Sequence, residues 1–104
     1  MKWLKLFLSL LILVSPFLFS CSKNDLSYLY TPKESDTTAN ASLSDLQEGR
    51  TLYIDNCSRC HSLYSPDDFT AATWNNIIAK MAPRTNLSQS EIELIKEYVS
   101  HGKL

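Results

Sequence analysis

The sequence Cys57-Ser58-Arg59-Cys60-His61 decides how the rest of the chain is interpreted. Two thiols separated by two residues can reach the two vinyl groups on one edge of a porphyrin, if the backbone between them makes about one helical turn. The next residue, His61, would then lie under the ring, where its imidazole can bind the iron. The motif therefore predicts covalent attachment of one haem c through Cys57 and Cys60, with His61 as the proximal iron ligand.

The first twenty residues differ in composition from the rest of the 104-residue chain. Lys2 and Lys5 supply positive charge at the start, and residues 4–19 are almost wholly apolar. This pattern is typical of a secretory signal, so residues 1–20 are expected to be a signal peptide. The segment ends in Leu-Phe-Ser-Cys, which resembles the lipobox of bacterial lipoproteins and implies lipid attachment at Cys21.

An uncleaved membrane anchor and a free cysteine after an ordinary signal are the alternatives for this segment. The apolar run is shorter than the roughly 20 residues that span a bilayer, and Pro16 interrupts it. An export signal agrees with the haem motif, because thioether attachment of haem occurs outside the bacterial cytoplasm. The expected location is the bacterial cell envelope, with a lipid anchor in a membrane and a periplasmic haem domain.

Residues 21–42 are expected to comprise the lipidated cysteine and a flexible tether. Apart from Cys21, the segment is rich in small polar residues and lacks apolar periodicity, so it buries too little apolar surface to offset its ordering entropy. Tyr28, Leu29 and Tyr30 are the exception, and they could contact the domain or lie at the membrane interface. The formal net charge of −1, without a basic run, gives no reason to expect a nucleic-acid partner.

Residues 43–104 are predicted to form a small all-α domain. The first helix should begin at Ser42 or Ser44, because Ser44 and Gln47 have the spacing of a capping box. One face of this helix carries residues at helical spacing, namely Leu46, Gly49, Tyr53 and Cys57. Gly49 costs roughly 1 kcal/mol relative to Ala inside a helix, and close approach of another helix would explain it.

Two further helices are predicted after the haem motif. A short one, capped by Thr70 or Thr73, should end near Met81 ahead of Pro83. The last helix has the clearest signals, with a capping box at Ser88 and Glu91. Its apolar face is broad and comprises Ile92, Leu94, Ile95, Tyr98 and Val99, and the stop is at His101 and Gly102.

The pattern of Gly49, Tyr53 and the attachment motif, followed by Tyr98 on the last helix, resembles class I (monohaem) cytochromes c, here in a bacterial lipoprotein. The resemblance covers about 60 residues and implies a cytochrome c-like helical fold around one covalent haem. It also implies that Gly49 and Tyr53 pack against Tyr98.

The resemblance further implies a second iron ligand from the segment ahead of the last helix. Met81 lies there and is the single methionine that follows the signal peptide, so it is the expected distal ligand. A His/Met pair raises the reduction potential of haem iron. His101 is the alternative ligand, and an open iron site is the third possibility. The Pro66 carbonyl is a candidate acceptor for the second nitrogen of His61, and the candidate partners of the haem propionates are Trp74, Arg59 and Arg84.

These features favour a membrane-tethered electron carrier rather than an enzyme. Six-coordinate iron does not bind substrate, and the chain has no paired carboxylates or nucleophile–base pair that would indicate catalysis. The expected partners are redox proteins and, through the lipid, a membrane, with the protein itself a monomer. Two alternatives remain: a haem enzyme or gas sensor with an open distal site, and a thiol or zinc module built on Cys57 and Cys60.

Overall fold

The structure is a computed structural model that describes residues 25–103, so the expected signal peptide and Cys21 lie outside the described residues. Within them the fold consists of three α-helices and no strand: α1 (Leu43–Cys57), α2 (Ala71–Met81) and α3 (Gln89–Val99). Three short 3-10 turns accompany the helices, at Glu34–Asp36, Pro66–Asp68 and Ala82–Arg84. The all-α prediction is confirmed. Over this same range, no helix combines the length and apolar character needed to cross a membrane.

The start of α1 is fixed by Ser42. Its hydroxyl accepts the Asp45 N–H at 3.2 Å, and its own N–H donates to the Asp45 carboxylate at 3.0 Å. The predicted start at Ser42 is therefore confirmed, whereas the predicted capping box of Ser44 and Gln47 is wrong. The reciprocal bonds join the cap to the third helical residue, and with Ser42 as the cap that residue is Asp45.

The other two helices begin where the sequence predicts. The Thr70 hydroxyl accepts the Thr73 N–H at the start of α2, and Ser88 and Glu91 form the capping box of α3. The end of α3 is a Schellman motif, in which the Gly102 N–H donates to the Glu97 carbonyl at 2.7 Å. His101 takes the left-handed conformation that usually favours glycine there, with φ at 54°.

The contact between α1 and α3 forms the centre of the core. A Cβ built on Gly49 would overlap the carbonyl oxygen of Leu94 and lie 3.0 Å from the Tyr98 Cβ. The Tyr98 side chain is fully buried, and its ring lies 5.9 Å from the ring of Tyr53. The predicted packing of Gly49 and Tyr53 against Tyr98 is therefore present, and it sets how closely the two helices approach.

Helix α2 joins this core through Trp74. The indole is 1% exposed and lies edge-on to both Tyr53 and Phe69, with ring centroids 6.0 and 5.3 Å away. Its Nε1–H donates to the Pro66 carbonyl at 2.8 Å. Trp74 therefore connects α2 to α1 and to the turn that follows the haem motif.

The segment ahead of α1 differs from the expected tether. We refer to residues 25–41 as the N-terminal arm. Leu29 and Ala41 are buried at 3% and 1% exposure, and Tyr30 packs against the core cluster. These contacts compensate for the segment's polar composition, so the reach of a free coil does not describe residues 25–41. Of the two possibilities left open for residues 28–30, the structure has the contact with the domain.

Glu97 makes the stability of the fold depend on pH. Burial raises the pKa of its carboxyl from the ordinary value of 4.5, and the Asp45 and Glu93 carboxylates raise it further. Its Oε2 is buried without a hydrogen-bond partner. The folded state therefore binds more protons than the unfolded state above pH 4.5, so this group lowers stability as the pH rises through its folded pKa.

We expect Glu97→Gln to raise the free energy of unfolding at pH 7, by under about 1 kcal/mol because the group is partly solvated. Denaturant unfolding at pH 7 and pH 4 measures this, and the gain should vanish at the lower pH. Glu48→Gln, at an exposed position of α1, is the matched control. An equal gain at both pH values would contradict the assigned cause.

Candidate haem-binding site

The end of α1 carries the first thiol of the attachment motif. Cys57 is the last residue of the helix and is half-buried against the core cluster, while Cys60 is exposed in the turn that follows. Both are free thiols. The apolar face that buries Leu46 and Tyr53 also fixes Cys57, because these residues share one side of α1.

The geometry of His61 leaves one ring nitrogen available. The imidazole is exposed, and its Nδ1 lies 2.7 Å from the carbonyl oxygen of Ser62. A carbonyl can only accept, so this hydrogen bond places a proton on Nδ1, and in the neutral imidazole the lone pair is then on Nε2. A metal-binding histidine is commonly oriented in this way. This geometry is compatible with the predicted role of His61 as an iron ligand, which stays a prediction.

A cleft of about 510 Å³ opens beside His61. Its volume is within the range of ligand sites, about 300–1,000 Å³. The residues that line it, which define the His61 cleft, are Asp25, Leu26, Tyr28, Ser58, His61, Ser62 and Leu63. Neither Cys57 nor Cys60 lines this cleft, although Ser58 and His61 of the same motif do. The chemistry of two free thiols followed by an imidazole fits a covalently bound haem.

The state of Cys57 does not match a thiol oxidoreductase. Burial raises the pKa of its thiol to about 11, and neighbouring Cys60 adds to the shift. A reactive Cys-x-x-Cys pair instead has a lowered thiol pKa, and a thioredoxin-like motif accompanies a βαβ unit. In residues 25–103 no three His, Cys, Asp or Glu side chains are gathered in a way that could hold a metal ion. Neither the thiol nor the zinc alternative gains support from these observations.

The two candidates for the distal ligand occupy different places. Met81 is the half-buried last residue of α2 and is not among the residues that line the His61 cleft. Its role as a ligand remains a prediction. His101 stacks on the Tyr30 ring at 4.3 Å, and its Nε2 lies 2.9 Å from a carboxylate oxygen of Asp67. The His101 ring therefore packs away from the cleft, and its buried Nε2 has no hydrogen bond despite the nearby Asp67 carboxylate.

Two contacts differ from those expected around the motif. The Pro66 carbonyl, a candidate acceptor for His61, accepts from the Trp74 indole instead, and the Ser62 carbonyl takes its place. Trp74 has its single N–H engaged and cannot also donate to a propionate. Arg59 donates its Nε–H to the backbone of its own helix turn, at the Asp55 carbonyl.

The sequence left open a contact between residues 28–30 and the domain, but it did not indicate that the N-terminal arm contributes to the site. Asp25, Leu26 and Tyr28 line the His61 cleft, although they precede the motif by 29 to 32 residues. The Tyr28 hydroxyl donates to the Leu63 carbonyl at 3.1 Å, which brings the arm to the residues directly after His61. Leu26 and the run Tyr28-Leu29-Tyr30, in an otherwise polar segment, were the available signal.

Comparison with known families agrees with this site. The family model described as dihaem cytochrome c matches residues 53–102, just under half of the chain. The match spans the attachment motif, α2 and α3. It does not confirm the monohaem class I family expected from the sequence. No curated protein and no solved structure matched the chain. Residues 53–102 are therefore similar to a family of c-type cytochromes, the dihaem cytochrome c family.

Proposed function

We propose that this protein is a membrane-tethered, monohaem c-type cytochrome that carries single electrons between extracytoplasmic redox partners. The observation that carries the proposal is the arrangement of His61 directly after Cys57 and Cys60, with Nδ1 held by the Ser62 carbonyl and Nε2 free. The similarity of residues 53–102 to a c-type cytochrome family supports haem-based electron transfer.

Each residue of the motif would have a distinct task. Cys57 and Cys60 would hold the haem by thioether bonds, and His61 would bind its iron. The bound haem would supply a centre that accepts and releases one electron. The hydrogen bond from Nδ1 to Ser62 orients the imidazole ring and favours the neutral tautomer whose Nε2 can bind a metal.

We propose one haem for this chain, although the matching family is described as dihaem. The sequence contains three cysteines and one Cys-x-x-Cys-His motif. A second haem attached in the same way would need another pair of thiols, and Cys21 alone does not provide it. A haem content of one per polypeptide, measured against protein mass, is the expected result.

The membrane tether rests on Cys21, which we propose is the lipidated first residue of the mature chain. The apolar residues 4–19, followed by Leu-Phe-Ser-Cys, support this proposal. An anchored chain would keep the haem domain in the cell envelope, where thioether attachment and redox partners both occur. The lipid therefore confines electron transfer to partners near one membrane surface.

Met81 is the proposed distal ligand, and it is directly testable. In Met81→Ala, we expect the oxidised protein to lose its far-red charge-transfer band and the reduction potential to fall, because the thioether that stabilises ferrous iron is gone. Lys80→Ala, at the exposed neighbouring position, should keep both properties. A far-red band that persists in Met81→Ala would contradict this assignment. If the iron of the wild-type protein binds an added ligand, the result would instead favour an enzyme or gas sensor.

A further inference from the structure

We propose that the N-terminal arm holds the domain in one orientation, with the His61 cleft facing the surface of the membrane that carries the lipid anchor. The inference rests on the proposed lipidation of Cys21. In this arrangement the domain does not swing freely on a tether. The face around the cleft lies at the lipid–water interface.

The first step is that Tyr30 fixes the arm to the domain. Its ring stacks on Tyr98 with centroids 4.7 Å apart and planes 15° from parallel. The Tyr30 hydroxyl donates to the Tyr98 carbonyl at 2.8 Å, and the Tyr98 hydroxyl donates back to the Tyr30 carbonyl at 3.0 Å. Arg50 adds a third bond, from its Nε–H to the same Tyr30 carbonyl at 3.1 Å. A segment with these bonds to both α1 and α3 does not behave as a loose tether.

The second step is that the arm leads from Tyr30 to the cleft. Leu29 is 3% exposed in the core, and Leu26 packs against the same cluster. The Tyr28 hydroxyl bonds to the Leu63 carbonyl, two residues after His61. Asp25, the first described residue, is part of the cleft lining. The arm therefore delivers the chain to the rim of the His61 cleft.

The third step is the short distance to the lipid. Cys21 precedes Asp25 by four residues, which reach at most about 14 Å even when fully extended. Helix α1 has 15 residues and is about 22 Å long, so its far end lies well away from the cleft at its other end. A lipid on Cys21 would therefore keep the cleft end of the domain within about 14 Å of the anchor, whereas the start of α1 is not held in this way.

The chemistry of this face suits a lipid–water interface. Among residues 25–103, the large hydrophobic side chains that are exposed are Tyr28 at 47% and Tyr64 at 49%. Tyr28 lines the cleft, and the Tyr64 ring lies 5.9 Å from that of His61. Tyrosine is enriched at membrane interfaces because its ring is apolar and its hydroxyl polar. The cleft lining includes the carboxylate of Asp25 and no lysine or arginine, so the lipid anchor rather than attraction to anionic headgroups sets the orientation.

Thiol labelling on vesicles tests the orientation. The haem-loaded, full-length protein is bound to vesicles of neutral phospholipid, with one added cysteine at an exposed serine: Ser62→Cys at the cleft or Ser44→Cys at the start of α1. A bulky, membrane-impermeant polyethylene-glycol maleimide then reports access to each thiol. The same variants carrying Cys21→Ser, which do not bind the vesicles, give the unhindered rates.

We expect severalfold slower labelling of Ser62→Cys on vesicles than in the released protein, with an unchanged rate for Ser44→Cys. The protection should persist at high salt, because charge does not cause it. Twelve Gly/Ser residues inserted between Asn24 and Asp25 add a span of about 20 Å and should abolish the protection without altering the domain.

Three outcomes would overturn the proposal in distinguishable ways. A wild-type protein that fails to float with the vesicles would remove the lipid anchor and the orientation together. Flotation with equal labelling at both sites would leave the anchor intact and show a freely swinging domain. Protection of Ser62→Cys that requires added envelope proteins would assign this face to a protein partner instead of the bilayer.

Discussion

Gly49→Ala is expected to lower the free energy of unfolding by about 3 kcal/mol, at the upper end of the usual cost of overpacking. The added Cβ would overlap the Leu94 carbonyl oxygen and lie 2.8 Å from the Leu94 carbonyl carbon. Backbone atoms of α3 cannot rotate out of the way as a side chain can. The two helices would have to separate, and the stack around Tyr98 would loosen with them.

Denaturant unfolding of the haem-loaded protein measures this effect. Gln47→Ala, at an exposed position of the same helix, is the control for the substitution of alanine into α1. Gln47→Ala should change the free energy of unfolding little. At position 49, the better helix propensity of alanine would by itself raise the free energy of unfolding by roughly 1 kcal/mol, so a net loss must come from the steric overlap. A Gly49→Ala protein that is as stable as the wild type would show that α1 and α3 do not meet at this position.

Trp74→Ala is the second substitution with a large expected effect, a loss of about 3–5 kcal/mol. The side chain is 1% exposed and touches two aromatic rings, so its removal leaves a cavity between α1 and α2. The loss of the indole also leaves the Pro66 carbonyl without its donor. In a domain of this size such a loss could exceed the total stability.

Trp74→Phe separates packing from hydrogen bonding. Phenylalanine retains most of the aromatic volume but cannot donate to the Pro66 carbonyl, so we expect a loss of about 1–3 kcal/mol from the unpaired buried acceptor. Thermal unfolding of both variants beside the wild type gives the comparison. Equal losses for Trp74→Phe and Trp74→Ala would contradict the assigned importance of ring packing.

The sequence predicted the parts of the fold that depend on local pattern. Ser88 and Glu91 cap α3 because the capping box is a local interaction, and the spacing of Gly49 and Tyr53 placed both on the buried face of α1. Gly49 was also informative because a glycine inside a helix needs a reason, and close approach of α3 supplies it. The choice between Ser42 and Ser44 was harder, because both are followed by a residue able to complete the bonds.

The sequence did not predict contacts whose acceptors are backbone carbonyls distant in the chain. Every residue has a carbonyl, so nothing in the pattern indicated that Ser62 rather than Pro66 would accept from His61. The same reason hid the partners of the arm, although a contact of residues 28–30 with the domain was one of the two possibilities left open. Tyr30 binds the carbonyl of Tyr98, and that interaction becomes visible only after α3 is placed beside α1.

The central claim is that Cys57 and Cys60 hold a haem covalently. The protein is produced with a haem-attachment system, denatured and extracted with acidified organic solvent. It is then digested, and the mass of the peptide that contains residues 57–61 is measured by mass spectrometry. We predict that the haem stays with the polypeptide and that this peptide carries the mass of one haem. The double variant Cys57→Ala, Cys60→Ala should release it. A wild-type protein that gives up all its haem to the solvent, or that never acquires any, would contradict the account.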